Sequence, residues 1–480
     1  MTSHYKTLII GAGFGGLCMG IKLKERGDED FIILEKAESV GGTWQENTYP
    51  GAGCDIPSAL YSYSFKRKYD WSGKWAKQPE ILAYIQECVE DYGLAPHLKF
   101  GRAVESAVFK DNKWRVSLST GEVMSCQFLV SAIGQLHHPK TPQFDGRDDF
   151  KGHAFHSARW DHSIDLSDKR VAVIGNAASA VQLIPEVAKM AKHLTVYHRT
   201  PNWVVGKEKL PFWIVERLIK PFVKPFGNFD RAQTWALGEF GLWRMIKGDP
   251  LSAWLGRRWF RKNLTTAVKD EDLRRKLTPD YPIGAKRVLL SDDFFPALVR
   301  ENVDLVFEGV QGFTETGLTD SAGETREHDV VVFATGFHTN PFLKDIEVKG
   351  ATGETLREKW AEGAYAYHGT MTADYPNLFL LYGPNTNTGH TSIIFKLEQQ
   401  VGYVLQLMEK AGEGRIDVTP EAETVFNTEM QNRLAKLAWA KVEDSWYKDG
   451  ERVTNNWPGS SLEFKRRLKT PAWNDFKVSS

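Results

Sequence analysis

The sequence predicts an α/β protein whose parallel sheets are covered by helices. Three observations lead there. An apolar strand, a glycine turn, a helical stretch and a second strand succeed one another over residues 6–35, and the same order recurs over residues 171–197. Two connectors rich in Pro, Gly and His break the chain between and after these units. With 480 residues the chain is too long for one ordinary core, so two or three domains are expected.

The first unit opens with residues 6–10 (KTLII), a short apolar run ending at Gly11-Ala-Gly13-Phe-Gly15-Gly16. Helical spacing continues through Leu17, Ile21 and Leu23 and closes at Gly27; Phe31–Leu34 is a second buried strand ending in Glu35. Trp114–Leu118 and Phe128–Val130 read as strands that complete the first domain. The second unit runs through Val171–Ile174, the turn Gly175–Ala180 and the strand Leu194–Tyr197. The connectors are Gly134–Pro142 and Ala334-Thr-Gly-Phe337, the latter just after strand Val330–Phe333. They predict a first domain made of residues 1–139 and 336–480, with a second domain, 140–335, inserted in it. Residues 205–280 do not fit a βαβ pattern. They read as a helical insert, rich in Trp and Phe and basic (Arg257, Arg258, Arg261, Lys262), which covers an active site.

Apolar content of 42% and charged content of 25% belong to a soluble globular chain. Lysines plus arginines and aspartates plus glutamates both number 61, so nothing global points to nucleic acid. No stretch approaches the ~18–20 apolar residues needed to cross a bilayer. The first residues pass directly into a strand, leaving no room for a signal peptide, so a cytoplasmic location is expected. Cys18, Cys54, Cys88 and Cys126 lack paired spacing and read as reduced thiols; no metal site is expected.

A GxGxxG pattern gains meaning from its setting. Here it lies between strand and helix, with an acid 19 residues after the last glycine. Gly11 permits the tight turn, Gly13 lets the backbone approach a pyrophosphate, and Gly16 allows close helix–strand packing. Glu35 is placed to accept hydrogen bonds from ribose hydroxyls. In the second turn, Gly175-Asn176-Ala177-Ala178-Ser179-Ala180, alanine is tolerated at the third position. Ala177 is the departure, because its methyl stands where the backbone approaches the phosphates. Arg199-Thr200, just past the next strand, supplies a guanidinium for the 2′-phosphate that separates NADPH from NADH.

With two nucleotide sites in one sequence, the chain resembles the type I Baeyer–Villiger monooxygenases, within the class B flavin monooxygenases. The most specific match is Phe150-Lys-Gly152-His-Ala-Phe-His156-Ser-Ala-Arg-Trp160-Asp161, which carries the family fingerprint FxGxxxHxxxW(P/D) at every fixed position. Gly41-Gly42-Thr43-Trp44, Tyr49-Pro50-Gly51, Asp55, Gln78-Pro79-Glu80 and Ala334-Thr-Gly-Phe337 match further. Gly383-Pro384-Asn385-Thr386-Asn387, Gly389-His390 and Asn456-Trp457-Pro458 are most similar to the aryl-ketone (4-hydroxyacetophenone) branch, whose long N-terminal extension is lacking here.

The resemblance implies two Rossmann-like domains, the NADP-binding one inserted in the FAD-binding one. It implies FAD contacts at Gly11, Gly13, Gly15, Gly16, Glu35, Lys36, Thr43, Trp44, Asp55, Tyr61 and Val104, with Asn385 also at the cofactors. NADPH contacts fall on Gly175, Asn176, Ala177, Ala178, Ser179, Ala180, Arg199, Thr200 and Lys286. The catalytic pair falls on Arg287 and Asp55. Many members carry an arginine two residues before that aspartate; here Gly53 stands there. The implied reaction converts a ketone, with O2, to an ester or lactone through a C4a-peroxyflavin that Arg287 keeps anionic.

Taken without the family, Lys286-Arg287 is a solvated basic pair and Asp55 a turn former. His156 and Trp160 read as interdomain packing groups, without a catalytic role. The aromatic, basic stretch at 205–265 suits a hydrophobic substrate entrance, loose membrane contact or core packing. Three other functions share parts of the pattern. A flavin monooxygenase acting on sulfur or nitrogen shares the cofactors. A flavin disulfide reductase needs a cysteine pair where Cys54 stands alone. A non-catalytic flavoprotein is favoured by Ala177 only.

Overall fold

The computed structural model describes residues 3–207, 223–340, 342–442 and 445–479. Two separate sheets organise the chain. The first has eight strands, in the order Glu347–Lys349, Val104–Lys110, Lys113–Leu118, Val123–Ser131, Ser3–Ile10, Phe31–Leu34 and Leu98–Lys99, with Leu378–Leu380 also paired to Val123–Ser131. Ser3–Ile10 lies parallel to both Phe31–Leu34 and Val123–Ser131, buried at its carboxyl half. Towards one edge, Val104–Lys110 and Lys113–Leu118 form an antiparallel hairpin. Asp111 and Asn112 turn it with φ of 53° and 60°, the left-handed pair that matches strand twist. Helix Phe14–Glu25 packs between this sheet and helix Ile393–Ala411, around a core that includes Leu17, Ile21, Phe31, Val401 and Val404.

The second sheet has five strands, all parallel: Val303–Val306, His193–Tyr197, Arg170–Ile174, Val330–Phe333 and His153–His156. Val330–Phe333 is fully buried, as a central parallel strand must be. Because Glu347–Lys349 and Leu378–Leu380 rejoin the first sheet, the second is an insertion within it. The outgoing and returning connectors run side by side: Pro139 bridges Phe337, His338 N–H donates to His138 C=O and Lys140 N–H to Gly336 C=O.

Val204–Val205 and Leu289–Leu290 pair in parallel at the two ends of a helical excursion. Of the stretch read from sequence as a helical insert, residues 208–222 lie outside the described residues. The rest comprises helix Val223–Leu237, a π turn at Gly238–Leu242, Trp243–Ile246, and the helices Pro250–Ala267 and Glu271–Lys276. Asp249 and Asp270 cap the last two, accepting from the N–H of Ser252 and Leu273. Arg231 ties the excursion to the first lobe through the Ala59 carbonyl.

Candidate active site

Both sheets present strand ends to one cavity of about 960 Å³, at the upper end of the ~300–1,000 Å³ usual for small-molecule sites. At its first wall, Gly11 has φ +102° and a Cβ there would lie 2.7 Å from the Ala132 carbonyl. A Cβ on Gly16 would lie 1.8 Å from the Gly11 oxygen, so packing alone demands both glycines. Gly13 differs. Its φ is −84°, and a Cβ would meet only Gly42 Cα at 3.7 Å, an ordinary contact. Packing does not demand glycine there, and the missing side chain leaves the backbone open to the cavity.

Helix Phe14–Glu25 starts at Gly13 with no side-chain cap, leaving its first N–H groups and the positive dipole end to an anion. Glu35 is buried. Its two oxygens accept from Ala12 N–H at 2.8 Å and Ala37 N–H at 2.9 Å, which fixes the carboxylate at the cavity wall with lone pairs to spare. Gly15, Lys36, Thr43, Trp44, Tyr61 and Val104 line the same side, the Trp44 indole N–H donating to the Tyr61 hydroxyl at 3.2 Å. This donor and acceptor set fits the pyrophosphate and ribose of FAD.

The opposite wall repeats the device. Gly175 has φ +113°, with a Cβ position 2.4 Å from the Ala334 carbonyl. Helix Ala178–Met190 begins at Ala177 without a side-chain cap. Ala177 has φ −83°, so its backbone is unstrained while its exposed methyl faces the cavity. Asn176, Ala178, Ser179, Arg199, Thr200 and Lys286 line this wall as well. The Asn176 amide donates to the Thr200 carbonyl, Asn202 donates to Asn176 Oδ1 at 2.9 Å, and Lys286 Nζ lies 5.1 Å from the centre of the Tyr281 ring. The open helix terminus and these cationic groups fit an NADP phosphate set.

Where the lobes meet, Arg287 Nη2 donates to Asp55 Oδ1 at 2.6 Å across 232 positions of sequence. Each side chain keeps about a quarter of its surface open, 28% and 24%. Burial opposes the charge on Arg287, but Asp55, with Tyr447 close by, outweighs it and holds the pKa above the usual arginine value. The guanidinium is therefore a fixed positive charge at the cavity wall. Burial raises the Tyr382 phenol, and pushes Tyr447 up to about 12, so both stay protonated beside it.

Asn385, Gly16, Gly175 and Ala180 are not brought to the cavity wall. Asn385 is buried, its amide donating to the Val453 and Asn456 carbonyls at 2.9 and 3.1 Å. It anchors a loop whose neighbour Asn387 does line the cavity. Asn387 donates to Asn456 Oδ1 at 2.9 Å and accepts from the Tyr382 hydroxyl at 2.8 Å, so the two late asparagine motifs sit together. Gly53 also has a local reason: a Cβ there would lie 2.9 Å from the Ala76 carbonyl. In the connector, His156 Nδ1 accepts from Ala158 N–H at 3.1 Å, so Nε2 carries the proton given to Gly336 C=O at 2.9 Å. Both ring nitrogens are engaged within the connectors. Trp160 packs edge-on against Phe155.

Several cavity groups escaped the sequence reading. Gln182 joins the lobes: its Oε1 accepts from the Tyr49 hydroxyl at 2.8 Å, and its amide donates to Gly53 C=O at 2.9 Å. Tyr382 holds φ +60°, strained for an aromatic residue, and Gln135, His137 and Trp446 complete the lining. Cys54 lines the cavity without a second cysteine, and burial raises its thiol well above the usual range, which leaves no disulfide couple there.

Two open-ended glycine turns facing one cavity define a protein built to take two dinucleotides. A family model described as pyridine nucleotide-disulphide oxidoreductase matches residues 8–225. A Baeyer-Villiger monooxygenase of Streptomyces coelicolor is 37% identical over 483 residues, 99% of this chain and 93% of that protein. The solved structure of OTEMO in complex with FAD and NADP superposes with TM-score 0.88 at 27% identity, and oxidized steroid monooxygenase bound to NADP with 0.86 at 28%. Both alignments cover all of each chain. The chain belongs to the Baeyer–Villiger monooxygenase family of FAD- and NADP-dependent flavoproteins.

Proposed function

We propose that the protein uses NADPH and O2 to convert ketones to esters or lactones, with Arg287 and Asp55 at the reactive centre. The observation that carries this reading is the 2.6 Å Arg287–Asp55 pair at the junction of the two cofactor walls. FAD, reduced by NADPH, supplies the activated oxygen when bound. Arg287 has no proton to give at working pH. With the cofactor bound, it would therefore hold negative charge on oxygen beside the ketone carbonyl without protonating it. Asp55 orients that guanidinium and offsets the cost of a lone charge away from bulk water. Gln182 and Tyr49 tie the lobes together, and Tyr61, Tyr382 and Trp446 give the cavity aromatic walls.

We assign Gly11, Gly13, Gly15, Glu35, Lys36, Thr43, Trp44, Tyr61 and Val104 to FAD, and Asn176, Ala177, Ala178, Ser179, Arg199, Thr200 and Lys286 to NADPH. Aryl ketones are the first substrates to try, because the paired motifs around Asn387 and Asn456 resemble the aryl-ketone branch. The test is incubation of the FAD-loaded protein with NADPH, air and a pool of aryl methyl ketones, long-chain ketones and a thioether, read by mass spectrometry. A product one oxygen heavier than its ketone supports the reading. Sulfoxide without ester moves the protein to oxygenation at sulfur.

A further inference from the structure

We infer that the outer face of the helical excursion docks on an anionic membrane surface. Of the 13 large hydrophobic side chains exposed among the described residues, seven fall between Phe229 and Leu255. Leu237, Phe240 and Leu242 project from the helix that contains the π turn. Leu251, Trp254 and Leu255, at i, i+3 and i+4, share a face of Pro250–Ala267 and are 64%, 49% and 52% exposed. Arg258 and Arg261 follow on the same side of this helix at i+7 and i+10, and Arg244, Lys247 and Arg257 are exposed as well. Residues 228–267 hold seven Lys or Arg against three Asp or Glu, a net +4 in a chain whose net charge is zero, and one of those acids, Glu239, is buried.

Leu and Trp on one face of Pro250–Ala267, with Arg beside them on the same helix, is the pattern of a helix lying in a headgroup layer. The Arg258 guanidinium lies 5.5 Å from the centre of the Trp254 ring, which sets an aromatic body and a cation at one depth. A second copy of the chain is the poorer occupant. A two-fold contact would bring this positive face against itself, whereas a bilayer rich in phosphatidylglycerol offers apolar depth and negative charge together. The inference rests on this surface alone and holds whatever reaction the cavity performs.

The FAD-loaded full chain is sedimented with vesicles of phosphatidylcholine, and with an equal mixture of phosphatidylcholine and phosphatidylglycerol. The wild type is expected to sediment with the mixed vesicles and to be released by salt. The variants Leu251→Ser/Trp254→Ser/Leu255→Ser and Arg257→Glu/Arg258→Glu/Arg261→Glu, each checked for retained FAD, are expected to lose more than about tenfold in partition coefficient. Wild-type protein that stays in solution, or variants that sediment as well as wild type, overturns the inference. So does a dimer in light scattering that the serine variant dissolves.

Discussion

Replacing Arg287 by alanine removes one guanidinium and leaves Asp55 facing the cavity alone. With the polar atoms at 2.6 Å, the charge centres are roughly 4 Å apart, worth about 4 kcal/mol before solvation at an effective dielectric near 20. Both side chains remain about a quarter open, so screening and recovered hydration reduce the loss in the resting protein to about 1–2 kcal/mol. The variant should therefore fold and keep FAD. In the oxygen-transfer step the missing group is a preorganised charge at a developing oxyanion, whose removal costs about 3–4 kcal/mol, or ~10²–10³ in rate. Anaerobic stopped-flow reduction of the flavin by NADPH should stay near the wild-type rate. Under air, ester should fall by that factor while NADPH oxidation yields hydrogen peroxide. Arg287→Lys, which keeps the charge but not the planar fork, should recover part of the ester. Normal ester yield from Arg287→Ala would refute the assignment.

Arg199→Ala should raise the KM for NADPH by roughly ten- to a hundredfold, the worth of a charge-assisted phosphate contact, and leave the KM for NADH little changed; equal effects on both would remove Arg199 from the 2′-phosphate. Gly53→Ala places a methyl 2.9 Å from the Ala76 carbonyl and should lower the chemical-denaturation free energy by about 1–3 kcal/mol; no measurable loss would show that the backbone there gives way freely. Glu239 is buried, which favours its neutral form, yet His390 and the N–H groups of Ser461 and Leu462 hold its pKa down to about 2 from an ordinary 4.5. A depressed carboxylate stabilises above its unfolded pKa and loses that contribution as pH falls through the folded one. Wild type should thus lose stability between about pH 4.5 and 2, and Glu239→Gln should flatten that part of the profile in urea titrations at stepped pH.

The cofactor walls were legible because their signals are local. Gly11, Gly13, Gly16 and Glu35 fall within one βαβ unit, where strand, turn and helix fix each position relative to the next. Long-range partnerships carried no such signal. Asp55 and Arg287 are 232 positions apart, and family resemblance, not spacing, brought them together. Gln182 looks like any polar helix residue until the lobes are assembled and Tyr49 and Gly53 arrive at its amide. Asn385 shows how a motif divides its work: its own amide holds the loop, while Asn387 lines the cavity. Gly53 stands where many members of the family carry an arginine, and in this chain a Cβ there would lie 2.9 Å from the Ala76 carbonyl.

The π turn at Gly238–Leu242 makes chain length itself a structural constraint. A π turn holds an extra residue in the helix, and it lets Glu239 reach Ser461 and His390 while Trp243 packs against the rings of His390 and Trp439. Deleting a single residue here would close the bulge and restore ordinary winding with the flanking turns in phase, whereas inserting one would rotate the downstream turn by about 100°, swinging Trp243, Met245 and Ile246 away from their buried contacts. Spacing between Glu239 and Trp243 is thus a dimension of the molecule, whereas Phe240 and Leu242, facing outward, can be exchanged for other residues of similar character. Gain of one codon in this turn should do more damage than several substitutions in it.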